Sequence, residues 1–146
     1  MRTARIGNAS QTPKKENTVA PYTVAGLVAR ARQDIDNLSP ADVERELSAS
    51  GVVLVDIRES EERVTTGVIP GAIHAPRGML EFYADSTSPY HRPEFETDRR
   101  VILYCASGGR SALGGQTLAR LGYERVGHLD GGIKAWLASG HQVDAA

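Results

Sequence analysis

The sequence predicts an α/β fold with a mainly parallel sheet. Two segments, VVLVDI (52–57) and VILYC (101–105), are continuous apolar runs rich in β-branched residues. That pattern suits strands covered on both faces. Helical stretches lie between the strand candidates, and strands alternating with helices build parallel sheets. The chain has 146 residues, 40% of them hydrophobic and 24% charged, which is the scale and make-up of one globular domain. A domain of this size buries about two-thirds of its unfolded surface and needs no cross-links.

Taken in order, residues 1–20 are polar and aperiodic, with Pro13 within them and Pro21 just after, and read as a flexible arm. Residues 21–38 read as a helical extension. In TVAGLVARARQDIDNL, the residues Val24, Leu27, Val28, Ala31 and Ile35 share one helical face, which must dock on a partner surface because a lone short helix is marginal in water. Ser39-Pro40-Ala41-Asp42 gives an N-cap, a proline at the first helical position and an acid in the first turn. The helix that follows carries Val43 and Leu47 at i and i+4 and is stopped by Gly51. RVGHL (125–129) is a weaker third strand, and residues 59–66, 111–122 and 132–139 read as helices. Residues 76–98 hold three prolines and read as a short helix around Met79–Tyr83 followed by a long surface connection.

Charge and cysteine count exclude several classes. Lys plus Arg is 17 and Asp plus Glu is 18, so the chain lacks the broad basic face of a nucleic-acid binder. The charge is uneven: residues 1–34 carry a net +4 and the rest a net −5, which fits a solvated basic leader before an acidic domain. The first residues, MRTARIGNASQTPKKEN, have no apolar core of a secretory signal, though their few acids also suit a transit segment. No run of about eighteen apolar residues is present, so no membrane span is expected, and the expected compartment is the cytoplasm. One cysteine permits neither an internal disulfide framework nor a cysteine-rich zinc site, and His74, His91, His128 and His141 lack metal-ligand spacing.

The chemistry concentrates in VILYCASGGRSALGG. A strand ends at Tyr104 and delivers Cys105 to its carboxyl end, where ligands bind in such sheets. Ala106, Ser107, Gly108 and Gly109 form a short loop, and Arg110 and Ser111 open the next helix. Paired glycines permit backbone angles closed to other residues, so successive N–H groups can turn inward as an anion nest. The helix adds its free N–H groups, and Arg110 adds a permanent cation. Such a field favours the thiolate and makes Cys105 a candidate nucleophile.

The motifs resemble those of the single-domain rhodanese sulfurtransferases over roughly residues 40–140. CASGGRS matches that family's active-site pattern: Cys, two variable residues, Gly, one variable residue, Arg, then Ser or Thr. VDIRESEE aligns Asp56, Arg58 and Glu62 with the opening signature, and GVIPGAIHAP aligns Gly67, Ile69, Pro70, Gly71 and Ala72 with the middle one. HLDGGIKAW aligns Asp130, Gly131, Gly132 and Trp136 with the closing one. Val68 and Arg63 depart from residues usual in the family, His and an aromatic respectively.

The resemblance implies a rhodanese-like domain over residues 39–142, with a five-stranded parallel sheet and helices on both faces. It implies that Cys105 takes sulfane sulfur from a thiosulfate-like donor anion as a persulfide and passes it on. The acceptor is external (cyanide, a thiol or a protein), because no second cysteine can resolve the persulfide. No cofactor is implied. Arg110 would orient the donor and support the thiolate, the amides of residues 106–111 would hold the cargo, and Ser107 and Ser111 would donate hydroxyl hydrogen bonds. Asp56 and Arg58 are placed at the active-site mouth or in an ion pair that anchors it, and Arg77 is a candidate for attracting anions. Cysteine phosphatases share this plan but have one residue more between Cys and Arg than the four here, Ala106 to Gly109. The smaller ring fits a single sulfur better than a tetrahedral phosphate. The third reading is a binding module without catalysis.

Overall fold

The computed structural model describes residues 22–146, so the arm expected over residues 1–20 lies outside it. The elements run α1 (Val24–Arg32), β1 (Asp36–Leu38), α2 (Pro40–Leu47), β2 (Val52–Asp56), α3 (Ser60–Thr66) and β3 (Ile73–His74). A 3-10 turn (Arg77–Met79) leads into α4 (Leu80–Ala84), followed by β4 (Arg100–Tyr104), α5 (Gly109–Arg120), β5 (Val126–Leu129) and α6 (Gly132–Ala138). The five strands form one sheet in the order β1-β5-β4-β2-β3, every pairing parallel.

The two apolar runs occupy the middle of this sheet. β2 and β4 pair from Val52 opposite Arg100 to Asp56 opposite Tyr104. Side chains alternate along each strand, so one cluster gathers Val53, Val55, Val101 and Leu103 with Leu80 of α4 and Leu118 of α5. The opposite cluster gathers Leu54, Ile102 and Tyr104 with Val43 of α2 and Ile133 and Trp136 of α6. Both faces being covered explains why these strands carry no polar alternation. The expected start of α2 is present in full. Ser39 Oγ accepts from Asp42 N and Asp42 Oδ2 accepts from Ser39 N, both at 3.1 Å.

The segment read as one helix over 23–38 divides. α1 ends at Arg32, and Asp36–Leu38 instead forms an edge strand beside β5, with Asn37 opposite His128. Asn37 Nδ2 donates to the Arg32 carbonyl at 2.9 Å and so satisfies one of the free acceptors at the helix end. The buried face of α1 also differs from the expected one. The helix packs on α5 and buries two small residues, Gly26 and Ala31, while Val24 and Leu27 are 70% and 48% exposed. Ile35 is buried, but beyond the helix, against Gly115 of α5. Close helix approach selects small residues, which a count of large apolar ones does not register. Among the described residues no helix is long and apolar enough to cross a membrane.

Candidate active site

Three strand ends converge at the carboxyl edge of the sheet: Asp56 at the end of β2, Cys105 after β4 and Asp130 after β5. The backbone of the cysteine loop is held from outside by α6. Ile133 N donates to the Cys105 carbonyl at 2.9 Å and Lys134 N to the Ala106 carbonyl at 3.2 Å. With these carbonyls turned toward α6, amides of the same loop turn toward the sulfur. Gly108 N lies 3.2 Å and Ser111 N 3.4 Å from Cys105 Sγ. Gly108 has φ +111°, a left-handed conformation that begins α5 and that side-chain-bearing residues rarely adopt. Gly132 has to be small for a different reason: a Cβ there would sit 2.4 Å from the Ala106 carbonyl.

Cys105 is 1% exposed, and its sulfur lies at the first turn of a 12-residue helix whose initial amides have no partner within the helix. Of the amides of residues 106–111, those of Gly108 and Ser111 donate to the sulfur. Ser111 is fully buried, with its hydroxyl 3.6 Å from the sulfur. Ser107 is exposed, and Ala106 and Gly109 are half-buried.

Arg110 reaches α3. Its two terminal nitrogens each meet a carboxylate oxygen of Glu62 at 2.8 Å. This fork lowers the Glu62 carboxyl to about 2 and pushes the guanidinium still further above its ordinary value. Glu62 in turn accepts from Glu59 N at 3.0 Å, closing a capping box at the start of α3.

Asp56 and Arg58 are buried and bind each other, with Nε–Oδ1 3.0 Å and Nη2–Oδ2 2.8 Å. Tyr104 Oη donates to the same carboxylate at 3.0 Å, and Arg63 Nε at 3.1 Å, so the residue standing in place of an aromatic joins this network. Burial opposes the Asp56 charge, but the Arg58 bonds outweigh it and hold the carboxyl below its ordinary range. Arg58 continues to Thr66 Oγ1 and the Gly67 carbonyl, each at 2.7 Å, and so fastens the end of α3. The pair braces the wall beside the loop. Arg77 is held by Glu81 Oε1 at 2.8 Å and by Thr117 Oγ1 at 3.4 Å, well over a turn along α5 from Ser111.

Beside Ala106 a groove of about 310 Å³ opens between α3 and α6, its walls including Thr65, Ile133 and Leu137 and its floor reaching Arg58. A larger hollow of about 460 Å³ lies at Glu44, Ile69, Trp136 and His141, and none of the cysteine loop lines it. Sequence reasoning did not assign His128 or Asn37 to the site. His128 is fully buried, and its Nδ1 lies 2.7 Å from Ser111 Oγ. Its Nε2 lies 2.8 Å from Asn37 Oδ1.

Comparison with known proteins agrees with this geometry. The family model described as rhodanese-like domain matches residues 39–139. A sulfurtransferase of Allochromatium vinosum is 38% identical over 94 residues, covering 64% of this chain and 79% of its own. Among solved structures, a Rhodopseudomonas palustris protein of unknown function, described as a possible tyrosine phosphatase, superposes with a TM-score of 0.80. It is 37% identical and covers 88% of this chain and 98% of its own. The human single-domain sulfurtransferase superposes with a TM-score of 0.61 at 26% identity, over 70% of this chain and 95% of its own. With its parallel sheet, its cysteine loop and a matched span that takes in the loop and every strand but β1, the chain belongs to the rhodanese-like sulfurtransferase family.

Proposed function

We propose that the chain carries sulfane sulfur as a persulfide on Cys105, loaded from a thiosulfate-like anion and discharged to an external thiophilic acceptor. The observation that carries this reading is the sulfur atom at the focus of Gly108 N and Ser111 N, at the start of α5. The Cys105 thiolate attacks the outer sulfur of the donor. A new S–S bond forms as the bond to sulfite breaks, and sulfite leaves with the electron pair. The terminal sulfur, now anionic, is stabilised by the loop amides as an oxyanion hole stabilises oxygen. An acceptor nucleophile (cyanide in an assay, a thiol or protein thiol otherwise) then attacks that sulfur and returns the thiolate. With one cysteine in the chain, no internal thiol competes for the cargo.

The groove beside Ala106 suits the approach of the acceptor. Its walls give the organic part of a thiol a surface to rest on beside the loop. The description of the Rhodopseudomonas palustris neighbour raises phosphate-ester hydrolysis as a second reading. The four residues between Cys105 and Arg110 argue against it, because the short ring leaves little room for a tetrahedral group.

Intact mass measured after incubation with thiosulfate tests the covalent step. The expected gain is one sulfur, about 32 Da, absent in Cys105→Ser and removed by cyanide. Protein that never gains sulfur from any of several donors overturns the proposal. Hydrolysis of an aryl phosphate dependent on Cys105 would support the second reading. A donor-by-acceptor matrix, scoring loading and discharge separately, then identifies the partners.

A further inference from the structure

We propose that Asn37 locks the tautomer of His128, and that His128 thereby keeps the Ser111 hydroxyl turned away from the Cys105 sulfur. The proposal deepens the reading of Cys105 as the reactive group and makes His128 and Asn37 positioning residues for it.

Asn37 Nδ2 faces two carbonyls, Arg32 O at 2.9 Å and Ile35 O at 3.3 Å, so the amide nitrogen belongs there. Its Oδ1 then faces His128 Nε2 at 2.8 Å, and only Nε2–H can satisfy it. Burial lowers the imidazole to about 4, so the ring is neutral at pH 7 and carries that one proton. The nearest charges are Asp130, which favours protonation, and Arg32, which opposes it, and these bind each other with Nη2–Oδ2 2.7 Å.

Nδ1 is therefore an acceptor, and the Ser111 hydroxyl 2.7 Å away gives it its single hydrogen in preference to the Gly108 carbonyl, the other acceptor in reach at 3.2 Å. Toward Cys105, 3.6 Å away, Ser111 can only accept from the thiol. All donors run one way: S–H to Oγ, O–H to Nδ1, N–H to Oδ1, N–H to the Arg32 and Ile35 carbonyls. On this proposal Ser111 accepts from the Cys105 thiol, where the sequence led to the expectation that it donates. The thiolate is left to the amides of Gly108 and Ser111, and a thiolate with fewer donors is the stronger nucleophile once formed.

The test reads the lock and its effect separately, and neither readout involves sulfur transfer, so the result stands apart from the identity of the donor. Nitrogen NMR of His128 gives the tautomer. The ultraviolet absorbance of the single thiolate, titrated against pH with Cys105→Ser as blank, gives its ionisation. Asn37 is exposed, so Asn37→Ala should preserve the fold. The wild type should show the Nε2–H tautomer. Asn37→Ala should move the proton to Nδ1, which then donates to Ser111 Oγ and releases its hydroxyl from the ring, to be shared between the Gly108 carbonyl at 3.2 Å and the thiolate at 3.6 Å, whose charge favours it. The thiolate should then appear about one pH unit lower, a tenfold larger fraction below the midpoint. In a Ser111→Ala background Asn37→Ala should move nothing. An Nδ1–H tautomer in the wild type overturns the proposal, as does an unswitched tautomer in Asn37→Ala. So does a titration that ignores the switch, or one that shifts equally without Ser111.

Discussion

The Glu62 carboxylate meets the Arg110 guanidinium along two parallel N–H···O bonds of 2.8 Å. The two residues are 48 positions apart in sequence, and their fork ties the first turn of α5 to the first turn of α3. Arg110 was expected to face the donor, and its side chain remains 40% exposed while paired. The guanidinium is held in one orientation by a carboxylate that is itself held by the backbone of Glu59.

Arg110→Ala should lower kcat/KM for sulfur transfer by about 10²-fold or more, the usual consequence of removing a preorganised charge from a reacting anion. Arg110→Lys keeps the charge but loses the fork, and should fall between the alanine variant and wild type. Steady-state kinetics with saturating acceptor measure both. An alanine variant with near-normal kcat/KM removes Arg110 from the mechanism.

Stability should fall on the acid side in two limbs. The folded His128 value, about 4, lies below the ordinary 6.5 because burial disfavours the charged ring. Below pH 6.5 the unfolded chain therefore binds the proton that the folded chain refuses. The His128 contribution is complete above 6.5 and is lost as pH falls toward 4, a loss of about 3 kcal/mol in all. Glu62, held at about 2 by Arg110, contributes fully above 4.5 and loses that contribution as pH falls toward 2. Urea unfolding midpoints across this range should show both limbs, and His128→Gln should flatten the upper one only. An unchanged upper limb in His128→Gln assigns it to another group.

Two glycines with similar backbone angles should respond differently to alanine. Gly51 (φ +89°) has nothing within 4 Å of an added Cβ, so Gly51→Ala meets conformational strain alone, about 1–2 kcal/mol. Gly132 (φ +64°) would drive its Cβ into the Cys105 and Ala106 carbonyls, which cannot move without opening the cysteine loop. Gly132→Ala should cost more than Gly51→Ala, roughly 3–5 kcal/mol, and should also abolish persulfide loading. Equal losses in urea unfolding would mean that the loop tolerates displacement.

Much of this arrangement is legible from local sequence. β2 and β4 are uninterrupted apolar runs, and CASGGRS announces a strand end, a loop and a helix start within seven residues. The capping box at Ser39 and Asp42 is likewise a short-range pattern. What was not legible depends on register. β1 is three residues long and reads Asp-Asn-Leu, a composition with no strand signal, and it exists because β5 offers it an edge. The same pairing sets Asn37 beside His128, 91 residues away, and no periodicity reports such a contact. Glu62 stood within a recognised signature, but its role emerges only when α3 and α5 are seen end to end.

The strand order leaves the sheet bounded by its two shortest members, β1 with three residues and β3 with two. Exposed ladder edges are templates on which another chain can extend a sheet, and long flat ones invite aggregation. Here each border offers too few free amide and carbonyl groups to nucleate such growth, while the sticky hydrophobic strands are enclosed between neighbours. The architecture that brings Cys105 to one rim thus also keeps its longest ladders away from the flanks, among the described residues.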